Sequence, residues 1–300
     1  MTTGAEQAKR SGTLLIVGCG YVGTAFGRKM AREGWEVIGT TREASRLEAL
    51  AEAGITPRLW PGTPLAPMID RADHLLVAAP PDAAGDPLIG AEEARLARAH
   101  HLAWVGYLST TAVYGDRQGG WVDEETPPAP TSRRGRWRLA AEKAWLALHR
   151  HHGLPVHVFR LAGIYGPGRG PFAKLRRGTA RRIVKPGQVF GRIHVDDIVA
   201  ALAASIARPR PGRIYNLTDD LPAPPDEVIA HAATLLGLPP PPAEPFETAE
   251  MSPMARSFYG ESKRVSNRRL KEELGVALRH PDYRSGLAAI LEEEATGRKG

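Results

Sequence analysis

Residues 13–39, TLLIVGCGYVGTAFGRKMAREGWEVIG, decide the fold. The run TLLIV at 13–17 is apolar and rich in strand-forming residues, and WEVIG at 35–39 has the same character. Residues 24–33 have the apolar spacing of a helix, and GCGYVG at 18–23 is a G-x-G-x-x-G turn that joins the first strand to this helix. A strand, a glycine turn, a helix and a second strand in this order predict a parallel βαβ unit.

Further strands and helices follow in alternation. Apolar runs at 75–79, 104–108 and 156–161 predict buried strands, and helical patterns at 92–101 and 136–152 separate them. Strands that alternate with helices are typical of a parallel sheet with helices on both faces. We therefore predict the α/β fold class, with a Rossmann-type, doubly wound parallel sheet.

The last part of the chain differs in composition, because it becomes rich in Gly, Pro and Arg after residue 160. Its predicted elements are a short strand at 213–217 and helices at 195–207, 226–236, 263–274 and 282–293. We assign residues 12–165 to an NAD(P)-binding Rossmann domain, with further contributions from about 187–217. Residues 166–186 and 218–295 are assigned to a smaller C-terminal substrate-binding lobe.

The glycine turn has the residue types that a dinucleotide site needs. Gly18 allows a tight turn, Gly20 lets the backbone approach a pyrophosphate, and Gly23 lets the helix pack close to the strand. The helix N-terminus then offers N–H groups and a partial positive charge to the pyrophosphate. The predicted cofactor-binding residues of the turn are Gly18, Cys19, Gly20, Tyr21, Val22 and Gly23. The alternative is a glycine-rich turn that binds no nucleotide.

The end of the second strand distinguishes NAD from NADP. An NAD site usually carries Asp or Glu there, to bind the ribose 2′-hydroxyl. This chain has Thr40, Thr41 and Arg42, and its first carboxylate is Glu43. Two hydroxyls and a guanidinium suit a 2′-phosphate, so we predict that these three residues bind NADP in preference to NAD. The alternative for Arg42 is an exposed cation at the start of a helix.

Six segments together resemble the extended short-chain dehydrogenase/reductase family, also called the NAD-dependent epimerase/dehydratases. They are GCGYVG at 18–23, LLVAAPP at 75–81, LSTTAVYGD at 108–116, FRLAGIYGPGR at 159–169, RIHVDDIV at 192–199 and IYNLTDD at 214–220. They occur in the family's order and extend over nearly the whole chain. The resemblance implies a Rossmann domain followed by a small substrate lobe.

The resemblance also implies roles for individual residues. Thr110, four residues before the Tyr of the VYG motif, would orient the substrate carbonyl or alcohol, with Ser109 and Thr111 as second choices. Tyr114 is the nearest phenol and is a further catalytic candidate, or a packed residue at a strand end. Residues implied at the cofactor are Ala78, Ala79, Pro80 and Leu161. The family's dehydratases carry Asp-Glu where this chain has Thr111 and Ala112, so sugar dehydration is not expected.

The Tyr and Lys that the family uses for proton transfer are absent. Counting back from Glu142 places Arg138 at the Lys position and Arg134 at the Tyr position. Neither guanidinium can exchange a proton near neutral pH, although Arg138 could hold a ribose hydroxyl. Tyr259 and Lys263 match the Y-x-x-x-K spelling, but they lie far along the chain and we interpret them as structural. The chain is most similar to a subgroup with Arg residues here, whose activity is unsettled.

Other polar clusters have alternative interpretations. Asp196 and Asp197 open a predicted helix, where we expect them to cap its N–H groups. A basic cluster suits a phosphate-bearing substrate, or is a solvated surface: Lys174, Arg176, Arg177, Arg181, Arg182 and Lys185. Three histidines stand together at a helix end, at His149, His151 and His152. We see no further ligands beside them and predict no metal site.

Composition limits the remaining classes of function. With 42% hydrophobic and 24% charged residues, the 300-residue chain has an ordinary globular composition. The single cysteine, Cys19, excludes an intrachain disulfide, and no apolar run is long enough to cross a bilayer. The polar start MTTGAEQAKRSG does not resemble a signal peptide, so we predict a cytoplasmic protein. The net charge of +7 comes with no nucleic-acid motif, so no nucleic-acid partner is expected.

Two hypotheses for function follow. The first is an NADP-linked oxidoreductase or epimerase that acts on a small or nucleotide-activated carbonyl compound or sugar, with Thr110 orienting the substrate. The second is a non-catalytic NADP-binding sensor or scaffold that lacks the Tyr-Lys pair. In either case the resemblance implies a homodimer, because dimers that pair long helices are common in the family.

Overall fold

The computed structural model describes residues 12–297, apart from the side chains of residues 253, 254 and 257. The segment before residue 12, in which we predicted no signal peptide, lies outside the described residues. Within 12–297 no helix has both the length and the apolar character needed to span a membrane.

Thirteen strands are present in the described part of the chain. They are β1 (Thr13–Val17), β2 (Glu36–Thr41), β3 (Thr56–Leu59), β4 (His74–Val77), β5 (Trp104–Thr110), β6 (Trp121–Val122), β7 (Val156–Leu161), β8 (Gly163–Tyr165), β9 (Arg182–Val184), β10 (Arg192–His194), β11 (Ile214–Leu217), β12 (Ala243–Pro245) and β13 (Arg264–Val265).

Eleven α-helices and two 3₁₀ helices accompany these strands between residues 12 and 297. The α-helices are α1 (Tyr21–Arg32), α2 (Leu47–Glu52), α3 (Ala66–Arg71), α4 (Pro87–Leu96), α5 (Arg133–His152), α6 (Phe172–Arg176), α7 (Val195–Ala207), α8 (Pro225–Leu235), α9 (Pro253–Phe258), α10 (Arg268–Leu274) and α11 (Tyr283–Thr296). The 3₁₀ helices are Ala44–Arg46 and Thr111–Tyr114.

Seven strands form one parallel sheet in the order β11-β7-β5-β4-β1-β2-β3. The chain adds β2 and β3 on one side of β1, and then β4 and the later strands on the other side. This reversal of direction beside β1 is the switch point at which doubly wound sheets bind ligands, next to the carboxyl ends of the strands. The α/β fold class and the Rossmann-type sheet predicted from the sequence are confirmed.

The chain divides into two compact units. Within the described residues, unit 1 consists of 12–108, 141–157 and 209–213, and unit 2 consists of 109–140, 158–208 and 214–297. Unit 2 therefore takes in 109–140, which the sequence analysis assigned to the Rossmann domain.

The core of unit 1 lies around β1, whose residues Leu14 to Val17 are completely buried. Strands of a parallel sheet are covered on both faces, which explains why TLLIV is an unbroken apolar run. α1 packs closely on this strand because two of its inward positions are glycines. A Cβ atom on Gly27 would lie 2.7 Å from Ile55 Cδ1 and 3.0 Å from Ile16 Cδ1.

Unit 2 contains a separate apolar core between α6, α8 and α11, where Phe172, Ala232 and Leu287 are buried. Unit 2 also contains three short parallel strand pairs: β8 with β10, β9 with β12, and β6 with β13. The pairing of β13 explains why the helix predicted at 263–274 was wrong at its start, because Arg264 and Val265 are strand residues and α10 begins at Arg268.

α7 has the predicted bounds, but the residue that caps it differs from the prediction. The capping acceptor is the side chain of His194, whose Nδ1 accepts from the N–H of Asp196 at 3.2 Å. The Asp197 carboxylate instead accepts from the backbone N–H groups of Arg279 and His280, at 2.6 and 3.1 Å. Neither aspartate caps the helix, because His194 is the capping residue and the Asp197 carboxylate binds a distant segment instead.

In unit 1, α4 begins five residues before the helix predicted at 92–101. Asp86 is its N-cap, and Oδ1 of this buried carboxylate accepts from the N–H groups of Leu88 and Ile89 at 2.9 and 3.1 Å. Its other oxygen accepts from the indole N–H of Trp145 at 3.1 Å. One buried carboxylate therefore satisfies three donors.

We expect Asp86→Ala to lower the free energy of unfolding by about 2–4 kcal/mol, because it removes a helix cap and leaves a buried indole N–H without this acceptor. Urea unfolding followed by circular dichroism measures the loss. The matched control is Asp82→Ala, since exposed Asp82 accepts from Ala84 N–H at 2.8 Å in a similar local turn. Equal small losses in both variants would contradict the assignment.

Candidate functional site

The glycine turn of unit 1 brings the ends of β1 and β4 into close backbone contact. Gly18 has φ +95°, and a Cβ atom there would lie 2.6 Å from the backbone nitrogen of Ala79. The N–H groups of Ala78 and Ala79 donate to the carbonyl oxygen of Val17 at 2.9 and 3.0 Å. The structure therefore brings together two sets of predicted cofactor residues, the glycine turn at 18–23 and Ala78 and Ala79 after β4. Pro80, which follows them in the sequence, is exposed.

Gly20 and Gly23, the other two glycines of the G-x-G-x-x-G turn, have the surroundings predicted from the sequence. A Cβ atom on Gly23 would lie 2.9 Å from Gly18 O and 3.2 Å from Ile16 Cγ2, so this position needs glycine for the helix to pack on the strand. A Cβ atom on Gly20 would meet no atom within 4 Å. The backbone at Gly20 is therefore open on that side, and α1 starts directly after it with no acidic residue in its first turn. An open backbone at a positive helix end suits a pyrophosphate.

Thr40 and Thr41 have structural contacts. Thr40 is buried, its Oγ1 accepts from Gly18 N–H at 2.9 Å, and its carbonyl oxygen accepts from Cys19 N–H at 2.7 Å. Thr41 is also buried, and its Oγ1 accepts from Glu43 N–H at 3.2 Å. These contacts argue against the predicted phosphate-binding roles of the two hydroxyls. They leave Arg42, whose side chain is exposed.

A second arginine, Arg46, contacts the helix that follows the glycine turn and was not identified from the sequence. Arg46 ends the 3₁₀ helix after β2, and its Nη2 donates to Thr24 Oγ1 in the first turn of α1 at 3.4 Å. The only available signal was its spacing, four residues after Arg42. Together the two guanidinium groups put positive charge beside the end of β2, where the sequence has no carboxylate before Glu43.

Cys19 fills space inside the turn. A Cβ atom on Gly39 would lie 2.4 Å from its sulfur, so the thiol occupies the gap that the glycine leaves. Burial raises the pKa of Cys19 to about 12, with a smaller opposing effect of the Arg46 charge. The thiol stays protonated and packs the turn, while its backbone N–H binds Thr40 O.

In unit 2, the predicted substrate-orienting residues lie where β5 ends. Thr110 is half-buried and caps the 3₁₀ helix Thr111–Tyr114, because its Oγ1 accepts from Ala112 N–H at 3.2 Å. That bond uses the hydroxyl oxygen as an acceptor, so the proton of Thr110 is still able to donate to a ligand. Ser109 is buried, whereas Thr111 is half-buried.

Tyr114 is fully buried inside unit 2, and its hydroxyl has a partner on each side. It donates to Asn216 Oδ1 at 2.8 Å and accepts from Arg160 Nη1 at 2.9 Å. Burial raises its pKa to about 12, although the Arg160 charge opposes this. These contacts argue against the predicted catalytic role, because a phenol with this pKa gives up no proton near neutrality. Tyr114 instead joins the end of β5 to β7 and β11.

The first two turns of α5 carry the two arginines that stand in the family's Tyr and Lys positions. Arg134 is exposed and Arg138 is half-buried. A Cβ atom on Gly135, between them, would lie 3.0 Å from the carbonyl oxygen of Ala112, so α5 starts in close contact with the Thr111–Tyr114 helix. Leu161, implied at the cofactor, is buried at the end of β7.

The Y-x-x-x-K match has structural contacts. The Lys263 ammonium is buried, and it donates to Gly115 O at 2.7 Å and to Glu261 Oε2 at 2.6 Å. The ring of Tyr259 packs against Phe190 and Phe246, with ring centroids 6.2 and 5.3 Å apart. These contacts support the structural interpretation of the motif.

Four of the six side chains in the basic cluster form ion pairs or hydrogen bonds within unit 2. Arg181 pairs with Glu244, Arg176 pairs with Glu294, and Arg182 Nε donates to Pro241 O at 2.8 Å. The Lys185 ammonium donates to Tyr259 O and lies 4.9 Å from the Phe246 ring centre. Lys174 and Arg177 are exposed and, among the described residues, their side chains have no ion pair. Of the six cations in the cluster, these two are therefore available to bind an anion.

Comparison with known families and proteins agrees with this description. The sequence model of the NAD dependent epimerase/dehydratase family matches residues 92–218, and that of ketopantoate reductase PanE/ApbA matches residues 14–78. Protein YeeZ of Escherichia coli (strain K12) is 31% identical over 283 residues, which cover 89% of this chain and 96% of YeeZ.

Solved structures extend the likeness over the fold. A functionally unknown conserved protein from Silicibacter pomeroyi DSS is 56% identical, with a TM-score of 0.89 over 94% of this chain and 99% of that one. UDP-glucuronic acid 4-epimerase from Bacillus cereus, in complex with UDP-glucuronic acid and NAD, has a TM-score of 0.75 at 16% identity, over 95% and 99% of the two chains. The chain belongs to the NAD dependent epimerase/dehydratase family of extended short-chain dehydrogenases/reductases.

Proposed function

We propose that this protein is an NADP-linked oxidoreductase or epimerase that acts on a nucleotide-activated sugar or a small carbonyl compound. The observation that carries the proposal is the glycine turn, in which Gly18 and Gly23 are fixed by close contacts while the backbone at Gly20 is open. A turn that only closed the fold would not need an open backbone at the start of α1. Family membership supports the same conclusion.

The preference for NADP rests on the charge beside β2. A carboxylate at the end of this strand would bind the 2′-hydroxyl of NAD and repel the 2′-phosphate of NADP. Thr41 and Thr40 occupy that position, and the guanidinium groups of Arg42 and Arg46 supply positive charge. The Bacillus cereus epimerase holds NAD, so the preference is a property proposed for this chain and its own arginines.

Thr110 orients the substrate by donating a hydrogen bond to its carbonyl or alcohol oxygen. When bound, the nicotinamide ring supplies or takes the hydride. The proton comes from water or from a group of the substrate, because a guanidinium is not a proton donor near neutral pH and the Tyr114 phenol has a pKa of about 12. An enzyme that lacks the Tyr–Lys pair lacks its general acid–base catalyst, so we expect a low kcat.

The substrate class follows from charge and from the family fold. The Bacillus cereus epimerase binds UDP-glucuronic acid, which carries a pyrophosphate. In unit 2, Lys174 and Arg177 are exposed cations that could pair with such a group, whereas the other four members of the basic cluster bind within the unit. We infer a phosphate-bearing substrate held by Lys174 and Arg177.

The second candidate function is a non-catalytic NADP sensor or scaffold. One observation favours it, namely the exposure of Arg134 at the position where the family has its catalytic Tyr. Cytoplasmic location and a homodimer remain predictions under both functions.

We expect Arg42→Ala with Arg46→Ala to weaken NADPH binding by about tenfold or more, because two guanidinium partners of the 2′-phosphate are lost. Binding of NADH should change by less than about twofold, since NADH has no 2′-phosphate. Energy transfer from tryptophan to the reduced nicotinamide reports both affinities. Arg32→Ala, at the exposed far end of α1, is the matched control. An equal loss for NADPH and NADH would contradict the role.

For Thr110, we expect Thr110→Ala to lower kcat by about 10²-fold while NADPH affinity stays constant, because a donor to the reacting oxygen is lost. Thr110→Ser should keep most of the activity. Oxidation of NADPH is followed by absorbance with small aldehydes, ketones and UDP-sugars, and Thr248→Ala, at an exposed threonine of unit 2, serves as control. Wild-type protein that binds NADPH but turns over none of these compounds would favour the sensor instead.

A further inference from the structure

A second cluster of ligand-type side chains lies in unit 2, at the start of α7. His194 is the residue before this helix, and Asp196 belongs to its first turn. His280 comes from the segment between α10 and α11, which the Asp197 carboxylate holds through the backbone N–H groups of Arg279 and His280 at 2.6 and 3.1 Å. Two residues of one motif therefore meet a histidine from a distant part of the sequence.

The three side chains converge on one point. Asp196 Oδ2 lies 3.7 Å from His194 Nδ1 and 3.6 Å from His280 Nε2. The two imidazole rings are 4.0 Å apart between centroids, and one ligand atom from each of the three residues lies within 4.8 Å of the other two. Ligands about 2.0–2.2 Å from a tetrahedral zinc ion are separated by about 3.3–3.6 Å, so the two separations that involve Asp196 need to contract by a few tenths of an ångström at most.

The histidines have nitrogen atoms without partners. Both rings are buried, and His194 Nε2 and His280 Nε2 have no hydrogen-bond partner among the described residues. The unpartnered His280 Nε2 costs free energy that a bound ion would recover, whereas His194 Nε2 is not one of the atoms that face Asp196. The Nδ1 atom of His194 accepts the Asp196 N–H at 3.2 Å, so this nitrogen carries a lone pair and no proton.

We propose that His194, Asp196 and His280 bind a divalent transition-metal ion, with Zn²⁺ as the expected occupant. Two imidazole nitrogens and one carboxylate oxygen match the donor set that Zn²⁺, Co²⁺ and Ni²⁺ prefer, whereas Mg²⁺ and Ca²⁺ require mostly oxygen ligands. The donor atoms are Asp196 Oδ2, His280 Nε2 and His194 Nδ1, which gives up its hydrogen bond from the Asp196 N–H at 3.2 Å when the ion binds. Asp196 is 39% exposed in its side chain, so water can reach the fourth position.

One cation competes for the same carboxylate. Arg279 Nη1 lies 3.8 Å from Asp196 Oδ2, but its side chain is 73% exposed and can turn into solvent when an ion binds. Of the other neighbours, the Tyr165 ring packs edge-on against His194, with ring centroids 5.1 Å apart. The buried Asp197 carboxylate adds negative charge, which favours a bound cation. The competing description is an Asp196–His280 ion pair that holds a proton and no metal.

The test is a Co²⁺ titration of untagged, chelator-treated full-length protein. The exposed histidines His151 and His152 of unit 1, whose rings are 6.5 Å apart, are replaced by Gln in every sample to remove a surface source of metal binding. We expect one equivalent of Co²⁺ to give the visible absorption of a four-coordinate site, and Zn²⁺ to displace it. Zn²⁺ should also raise the Tm.

His280→Gln and Asp196→Asn should each abolish the absorption and the Tm shift. His231→Gln is the matched control, because His231 Nε2 is also buried without a partner in unit 2, and this variant should bind Co²⁺ as before. If His280→Gln does not fold, the Asp196→Asn variant is used for the test, because the Asp196 side chain is half-exposed and its replacement leaves the core intact. Absence of binding, or binding that both variants retain, would overturn the proposal in favour of the ion pair. NADPH affinity is measured in parallel, so this result is distinguishable from failure of the proposed function.

Discussion

The contact between the backbones of Gly18 and Ala79 is the constraint on which the rest of the cofactor site depends. No side chain fits between these residues, and the Thr40 hydroxyl and carbonyl hold the turn by bonds to the N–H groups of Gly18 and Cys19. With the turn fixed, α1 can pack through Gly23 onto β1 and present its N-terminus beside the switch point of the sheet. Substitution at Gly18 or Gly23 would disturb the fold and the site together.

The site in unit 2 uses the family's framework with different charges. Tyr114 and Arg160 are tied to each other and to Asn216 in the interior, so neither is available to replace the missing phenol. Thr110 keeps a hydroxyl proton able to donate, while Arg134 is exposed on α5. The chain therefore keeps the means to bind and orient a ligand and lacks the usual means to transfer its proton. This combination explains why binding and turnover need separate measurements.

The local patterns of the sequence predicted much of the fold. β7 and α7 have the predicted bounds, and the glycine turn has the predicted geometry, because each depends on neighbouring residues. The start of α4 was missed although Asp86 and Pro87 are a cap and a first-turn proline, a signal that periodicity alone does not detect. The helix predicted at 263–274 was wrong because β13 forms by pairing with distant β6.

Within the sites, the errors come from long-range contacts. Thr40 has the residue type of a phosphate ligand, but its hydroxyl reaches back to Gly18. Asp197 has the position of a helix cap, but it binds the segment that carries His280. No spacing rule connects His280 with His194, so their meeting was visible only in the structure.

Gly20→Val tests the central claim most directly, because this position has room for a side chain and an ordinary φ of −79°, yet the side chain would occupy the place of the pyrophosphate. NADPH titration by tryptophan energy transfer and the Tm are measured for the variant and for the wild type. The account predicts that wild-type protein binds NADPH, and that Gly20→Val keeps its Tm and loses binding. Wild-type protein that binds no nucleotide, or a variant that binds it equally well, would contradict the account.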